Sequence, residues 1–457
     1  MMFRLGIDVG REKTDGVLMD HSFHILTFAS QSTTPDVMTG IQSLIAHLLK
    51  QTNVSPADIT AVMIGTNLFL DTLLEERNLA QVCAVRISQA RGSIPPLYEG
   101  SEFFRQAMGL VYYELQGGHE VDGRISKSPP SRTEIDVFLQ SINVKRIDAF
   151  AITGTFSPVN DSHERMVMGW IQDRLGKGHS FTLSHELGSI GFLERENAAI
   201  LNAALSKVMK RALQGLDHLL QKLSIEAGIY LVQNDGSLMS YDYALRYPIR
   251  TLYSGMTTSL RGASYLTQLN DCIVVDVGRK RTCIGVLEGG FPKERWQKTP
   301  IAGIHVNVPV PEIVTLPFGG ENSISDDKLD AVFQVVQRFQ PRYDPLPIVF
   351  VGEASKELEA KFRFPWSDVV HPPYYAHVCA IGACIAPISG NVDRMYWLKG
   401  IGREEAVKMA TQEAVQEAIL AGVDPASVMA KSIKVTPLAY ISSQALRVQV
   451  KAIGSLF

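Results

Sequence analysis

The sequence predicts an α/β protein built as two related lobes with a cleft between them. Two observations carry this. The string Asp-Val-Gly-Arg-x-x-Thr occurs at 8–14 and again at 276–282, each time between two apolar strand-like runs. Five identities in seven positions, in the same local setting, point to internal duplication rather than to two unrelated glycine hairpins. Elsewhere, short apolar runs alternate with longer segments of helical spacing, the pattern of an α/β domain.

Residues 3–9 read as a strand and 16–19 as its return, with the polar tip Gly10-Arg11-Glu12-Lys13-Thr14-Asp15 between them. In 36–50, Val37, Ile41, Leu44, Ile45, Leu48 and Leu49 share a helical face, and Asp36 behind Pro35 is the N-cap candidate. Segments 58–65, 81–87 and 147–153 read as strands. Glu194 to Leu223 is the longest helical pattern, and its broad apolar stripe marks a buried connecting helix or two. A strand at 228–233 runs into the turn Asn234-Asp235-Gly236. Residues 271–287 repeat the opening hairpin. A buried strand at 347–352, a small-residue helix at 377–388, an amphipathic helix at 404–420 and a strand at 447–453 complete the chain. The expected division is an N-terminal lobe, 1–183, carrying the first hairpin, and a C-terminal lobe, 184–457, carrying the second hairpin and the connecting helices. No low-complexity linker separates them, so packed lobes are expected.

Composition narrows the function. The chain has 457 residues, 46% hydrophobic and 20% charged, with a formal net charge of -3. At about 150 residues per domain this is two or three units with a large core. The charge balance argues against nucleic acid or an anionic membrane as the main partner. No window approaches the roughly 18 to 20 apolar residues of a membrane span. The start does not read as a signal peptide, because Asp8 interrupts the apolar run. The five cysteines are scattered, with no C-x-x-C spacing, which fits free thiols and a cytoplasmic location.

A tight hairpin tipped by glycine can turn backbone N–H groups toward a phosphate. In that arrangement Gly10 and Gly278 allow close approach, and Thr14 and Thr282 add donors. Asp8 and Asp276, at the strand ends, could hold Mg²⁺ through water and orient an attacking group. Two such hairpins from two lobes would clamp a triphosphate such as ATP.

The sequence resembles the hydantoinase/oxoprolinase family along nearly its whole length. The segments that carry the likeness are Leu5-Gly-Ile-Asp-Val-Gly, Gly117-Gly-His-Glu-Val-Asp-Gly-Arg and Gly154-Thr-Phe-Ser-Pro-Val-Asn. The run 184–205, Gln233-Asn-Asp-Gly-Ser-Leu-Met, Ser254-Gly-Met-Thr-Thr-Ser-Leu-Arg-Gly-Ala, Asp276-Val-Gly and Pro437-Leu-Ala-Tyr complete it. More narrowly, it looks like short single-chain members related to the ATP-binding subunit. The resemblance implies the two-lobed, duplicated fold of the actin-like and sugar-kinase ATPases. It also implies ATP-dependent hydrolysis of a small cyclic amide of the hydantoin or 5-oxoproline type, with a second hydrolase subunit as partner in several systems. It gives Asp8, Asp276 and Asp235 catalytic positions, and Asp8 and Asp276 the Mg²⁺. It sets Gly10, Thr14, Gly278, Thr282, Gly319, Gly320 and Gly352 beside ATP, and His185, Glu186, Asn234 and Arg261 beside the substrate. A homo-oligomer is left open.

The nucleotide-side motifs depart from the family pattern, Asp-x-Gly-Gly-Thr-x-Thr-Asp. The second glycine is Arg11 or Arg279, the next threonine is Glu12 or Lys280, and Cys283 replaces the last aspartate of the second motif. Arginine at a glycine position would strain a bend with positive φ and obstruct backbone approach. Alternatively, Arg11, Lys13, Arg279, Lys280 and Arg281 could bind an anion with their side chains. The Gly-Gly-Gly-Ser-type runs appear as Phe318-Gly319-Gly320-Glu321 and Gly352-Glu353-Ala354-Ser355, and Met256 stands where the family has proline. These departures leave a second reading: a non-catalytic relative whose scaffold binds a partner or a small anion.

Other residues read two ways. Ser184 with His185 and Glu186 is either a substrate contact or a helix cap with ordinary partners. Glu194, Arg195, Glu196 and Asn197 either line the cleft or form a charge network at the helix start. Asn234 and Asp235 are turn residues that the resemblance also places near the cleft. Arg261 either holds a phosphate or carboxylate, or caps a helix. His119, Glu120 and Asp122 lack the spacing of a known metal motif.

Overall fold

The computed structural model describes residues 2–456 except 90–93, 127–128, 189–190, 296–298, 318–325, 342, 360–366, 399 and 439–444. The chain opens with β1 (Phe3–Val9), β2 (Lys13–Asp20) and β3 (Ile25–Ser32), an antiparallel meander. Helix α1 (Val37–Gln51) follows, its first turn capped by the Asp36 side chain on Met38 N–H, as expected. Strand β4 (Ile59–Thr66) returns parallel to β1 and leads into α2 (Leu68–Leu74). Strands β5 (Val82–Ser88), β6 (Val111–Gln116), β7 (Ala149–Gly154) and β8 (Ser180–Leu183) form a separate parallel sheet, with α3 (Ser162–Leu175) between β7 and β8.

The predicted long helix is α4 (Phe192–Lys222), a single element whose first four turns are buried almost all round. Strands β9 (Gly228–Val232) and β10 (Leu238–Ser240) flank the expected turn, with Gly236 at φ 75°. Helix α5 (Ser254–Thr267) leads to the second hairpin, β11 (Cys272–Val277) and β12 (Arg281–Glu288). Then come β13 (Ile313–Pro317), β14 (Ile348–Val351), β15 (Val369–Val370), helix α6 (Val378–Ile385), β16 (Ile388–Trp397), helix α7 (Arg403–Leu420), β17 (Met429–Pro437) and β18 (Ala445–Gly454).

The duplication is explicit in strand order. One sheet contains the path β3-β2-β1-β4-β9, and the other contains β13-β12-β11-β14-β15. In each, the first three strands are antiparallel and the next two join in parallel. The lobes do not divide at the expected 183/184 point. Strands β10, β16, β18 and β17 extend the first sheet to nine strands, so residues from both sides of that point share one sheet. The chain crosses back because α6 leaves the second lobe and packs on β1. A Cβ at Gly6 would stand 2.3 Å from the Ala380 carbonyl oxygen. Helices α5 and α6 touch through glycine too, since a Cβ at Gly382 would lie 1.9 Å from the Thr258 carbonyl. The small-residue composition of 377–388 thus serves close packing.

Candidate functional site

The two hairpins close by the same bond. Gly10 N–H donates to the Lys13 carbonyl (3.0 Å) and Gly278 N–H to the Arg281 carbonyl (2.9 Å). The tips are therefore only two residues, Arg11-Glu12 and Arg279-Lys280. None of Gly10, Gly278, Arg11 and Arg279 has φ in the left-handed region, so the expected strain at the arginines is absent. Glycine is needed for space instead: a Cβ would meet the Lys13 carbonyl oxygen at 2.9 Å or the Arg281 carbonyl oxygen at 3.1 Å.

The tip cations do not converge on a common anion space. Arg11 turns to α2, where Nε donates to Asp71 (2.7 Å) and a terminal nitrogen to Glu75 (2.8 Å). Arg279 donates to Glu353 (2.7 Å), and Lys13 Nζ lies 3.1 Å from Asp15. Lys280 pairs with Glu12, joining one tip to the other across the lobes. Four of the five cations expected as anion ligands are thus engaged by carboxylates of this chain.

Behind the tips the site is acidic. Asp8 Oδ1 is buried with no hydrogen-bond partner among the described residues. Burial first, then the charges of Asp15 and Asp276, push the Asp8 pKa well up. Burial raises Asp276 to about 6, against a bond from Ser259 and the charge of Arg281. In the first lobe Asp8 stands opposite Asp15, whereas in the second Asp276 faces Cys283. Each acid has a glycine beside it. A Cβ at Gly65, across from Asp8 on β4, would lie 3.1 Å from its Oδ1, and one at Gly352 would lie 2.4 Å from Asp276 Oδ1. Thr14 Oγ1 is 2.9 Å from Thr33 Oγ1, while Thr282 Oγ1 is buried without a partner among the described residues. Gly319 and Gly320 lie outside the described residues.

A separate pocket of about 680 Å³ collects His185, Glu186, Asn234 and Asp235. His185 follows β8, and its ring sits between two carboxylates: Nδ1 is 2.6 Å from Glu164 and Nε2 is 3.1 Å from Asp161, both near the start of α3. Burial alone would lower its pKa, but these two bonds more than reverse that and raise it to about 9. The ring is an imidazolium at neutral pH. Its folded pKa exceeds the usual 6.5, so its stabilisation is complete below pH 6.5 and lost as pH rises through about 9. Over that window we expect wild-type stability to fall by up to about 3 kcal/mol more than that of His185→Gln. Urea unfolding at pH 6.5 and 9.5 checks this, and parallel curves for the two proteins would refute it.

Asp235 is saturated rather than poised for proton transfer. It accepts from Ser237 N–H (2.9 Å), Ser389 (3.0 Å), Asn391 (3.0 Å) and Lys451 (2.8 Å). Burial works against its charge, but Lys451 and these bonds hold its pKa below the ordinary range. The expected catalytic carboxylate is therefore an ionised anchor for the strands around it. The Asn234 side chain is spent on the backbone of Ile249 and Tyr253, and Glu186 on Arg246 and Tyr247. Arg261 reaches neither the pocket lining nor a tip. It donates to the Gly290 carbonyl and lies over Phe291 at 4.4 Å. Sequence reasoning missed Glu164, Asp161 and Arg250, as well as Glu294, whose carboxyl is raised to about 7 by burial and by Asp235.

Two lobes of one topology, each bringing a half-buried aspartate to a hairpin at their junction, define the actin-like ATPase class of fold. The hydantoinase/oxoprolinase N-terminal region model matches residues 4–175, and the hydantoinase/oxoprolinase model matches 195–419. The chain belongs to the hydantoinase/oxoprolinase family. It is 24% identical over 339 residues to caprolactamase subunit alpha of Pseudomonas jessenii, covering 70% of this chain and 48% of the relative. It thus spans about half the length of that curated relative. The crystal structure of ATP-dependent caprolactamase from Pseudomonas jessenii superposes with a TM-score of 0.77 at 15% identity, over 99% of this chain and 87% of that one. Nucleotide-free acetone carboxylase superposes with a TM-score of 0.70 at 12% identity, over the same shares. At these identities the two likenesses establish the fold. No described helix is long and apolar enough to cross a membrane.

Proposed function

We propose that this chain carries out, or supplies the nucleotide side of, ATP-dependent hydrolysis of a small cyclic amide. The carrying observation is the pair Asp8 and Asp276: half-buried carboxylates, one with a buried oxygen that has no partner among the described residues, each with a glycine beside it. Such a pair fits a divalent cation, which would relieve both the burial and the mutual repulsion. Asp8 and Asp276 would hold Mg²⁺ through water. Thr282 and Thr14 would donate to phosphate, beside the space around Gly10, Gly278 and Gly352. ATP, when bound, supplies the phosphoryl group that turns a stable amide oxygen into part of a good leaving group. In the pocket, His185, its two ring nitrogens held by Glu164 and Asp161, would fix the wall, and Glu294 would exchange a proton near pH 7. The caprolactamase relative is named as a subunit, which supports a second subunit as partner here.

A specific observation favours a second reading, a non-catalytic scaffold. The tip cations are spent on internal carboxylates, and Glu12 and Lys280 tie the tips together. Calorimetric titration with Mg-ATP, beside turnover assays on hydantoin and 5-oxoproline, separates the two. The enzyme reading expects binding at pH 7.5 that weakens about fourfold or more at pH 5.5, because Asp276 takes up a proton near pH 6 and its cation ligand is lost. No heat of binding at about 5 mM Mg-ATP would leave only the scaffold.

A further inference from the structure

We propose that Arg250 is the specificity-determining anchor of the 680 Å³ pocket, and that it selects a small ring compound carrying a carboxylate over its neutral counterpart. The inference rests on reading this pocket as the substrate site. Four arginines line it, and three are already neutralised by neighbours. Arg165 donates to Asp161 (2.6 Å), Arg246 pairs with Glu186, and Arg394 lies 2.5 Å from Glu413. Arg250 has no hydrogen bond or ion pair from its guanidinium among the described residues.

Arg250 is nonetheless held firmly. Its N–H donates to the Tyr247 carbonyl (3.0 Å), and its carbonyl accepts from Asn234 N–H (2.6 Å). Its guanidinium lies over the Tyr243 and Tyr247 rings, 5.3 and 5.0 Å from their centroids. Contact with two rings inclined at 59° restricts the guanidinium, and its N–H donors, unused by the described residues, stay available to a ligand. Of the nearby acids, Glu417 accepts from Tyr243 Oη (2.7 Å) and Asp235 holds Lys451, while burial and Asp235 raise Glu294 to about 7. Burial alone would lower the Arg250 pKa, but Tyr243, Glu417, Tyr247 and Asp235 raise it, and no bond from the guanidinium to any of them is present.

A planar guanidinium with a free edge matches a carboxylate through two parallel N–H···O bonds. The rest of the wall favours a single negative charge over several. Acidic side chains on the lining outnumber the four arginines and His185, so the wall as a whole would repel a polyanion such as a phosphate ester. Tyr247 and Met395 supply apolar surface for a small ring.

The test measures binding without nucleotide, so that its failure is separate from failure of the ATP reading. Purified protein is titrated calorimetrically with 5-oxoproline and 6-oxopiperidine-2-carboxylate, and with the neutral rings 2-pyrrolidinone and 2-piperidinone. We expect at least one acid to bind at least about thirtyfold more tightly than its neutral partner. Arg250→Met should remove that preference without changing the weak binding of the neutral rings, and Arg250→Lys should restore part of it. Circular dichroism and the His185-dependent unfolding profile show whether each variant keeps the wild-type fold. Three results would each overturn the proposal: equal affinity for acid and neutral ring, an Arg250→Met variant that retains the preference, or no binding of either acid at about 10 mM.

Discussion

Glu164→Ala should destabilise the protein by about 3–5 kcal/mol, the cost of stripping the partner from buried charge. The carboxylate is fully buried and accepts four bonds: Gly154 N–H (2.7 Å), Ser184 Oγ (2.6 Å), His185 N–H (3.3 Å) and His185 Nδ1 (2.6 Å). Arg195 braces the same cluster, donating to Ser184 Oγ (2.9 Å) and the Gly154 carbonyl (2.6 Å). Removing Glu164 leaves the imidazolium with Asp161 alone and deprives a buried N–H and hydroxyl of their acceptor. Glu164→Gln should cost less, because its amide oxygen still accepts but no longer supports the positive ring. The urea midpoint at constant m-value reads both effects. Equal midpoints for wild type and Glu164→Ala would show that the network carries little of the fold's stability.

Asp8→Asn should move two quantities in opposite directions. Without ligand, the substitution removes a carboxylate opposed by desolvation, Asp15 and Asp276. A carboxyl with a raised folded pKa contributes stability at low pH and loses it as pH rises through that value, so at pH 7.5 Asp8 works against the fold. The apo variant should therefore be more stable by about 1 kcal/mol or more. Mg-ATP affinity should fall on the order of a hundredfold, about 2.7 kcal/mol, because a neutral amide cannot balance the cation. A residue with only a packing role would not produce this pair of changes. A lower apo melting temperature with unchanged nucleotide affinity would remove Asp8 from the cation site.

The fold was legible where the signal was local. The repeated Asp-Val-Gly-Arg string located both hairpins, Asp36 located a helix start, and Asn234-Asp235-Gly236 located a turn. Strand partnership was not legible, because alternation tells which face of a strand is buried but not which strand lies beside it. That is why the 183/184 division overlooked the late strands that complete the first sheet. The pocket was half legible. His185, Glu186, Asn234 and Asp235 were singled out and do meet there, but their partners come from distant segments. His185 finds Glu164 at a separation of 21 residues, and Asp235 finds Asn391 at 156. One missed signal was local. Asp71 and Glu75 are four residues apart at the end of α2, the spacing that presents two carboxylates on one helical face, and together they draw Arg11 away from the tip.

The nine-stranded sheet also bears on how the protein comes to exist. Its first strands are made well before β16, β17 and β18, which join the same sheet. At about 5–20 residues per second of synthesis, β4 presents an unpaired, apolar edge for on the order of ten seconds before β9 arrives. Once β9 and β10 have joined, β10 becomes the edge on that same side and waits a comparable time for β16. Loop closure over such separations is slow, so the nascent chain spends its most vulnerable interval with a ready template for mispairing. The interleaved sheet thus makes the first lobe dependent on β16, β17 and β18, made after the second hairpin, and the two lobes mature together rather than one after the other.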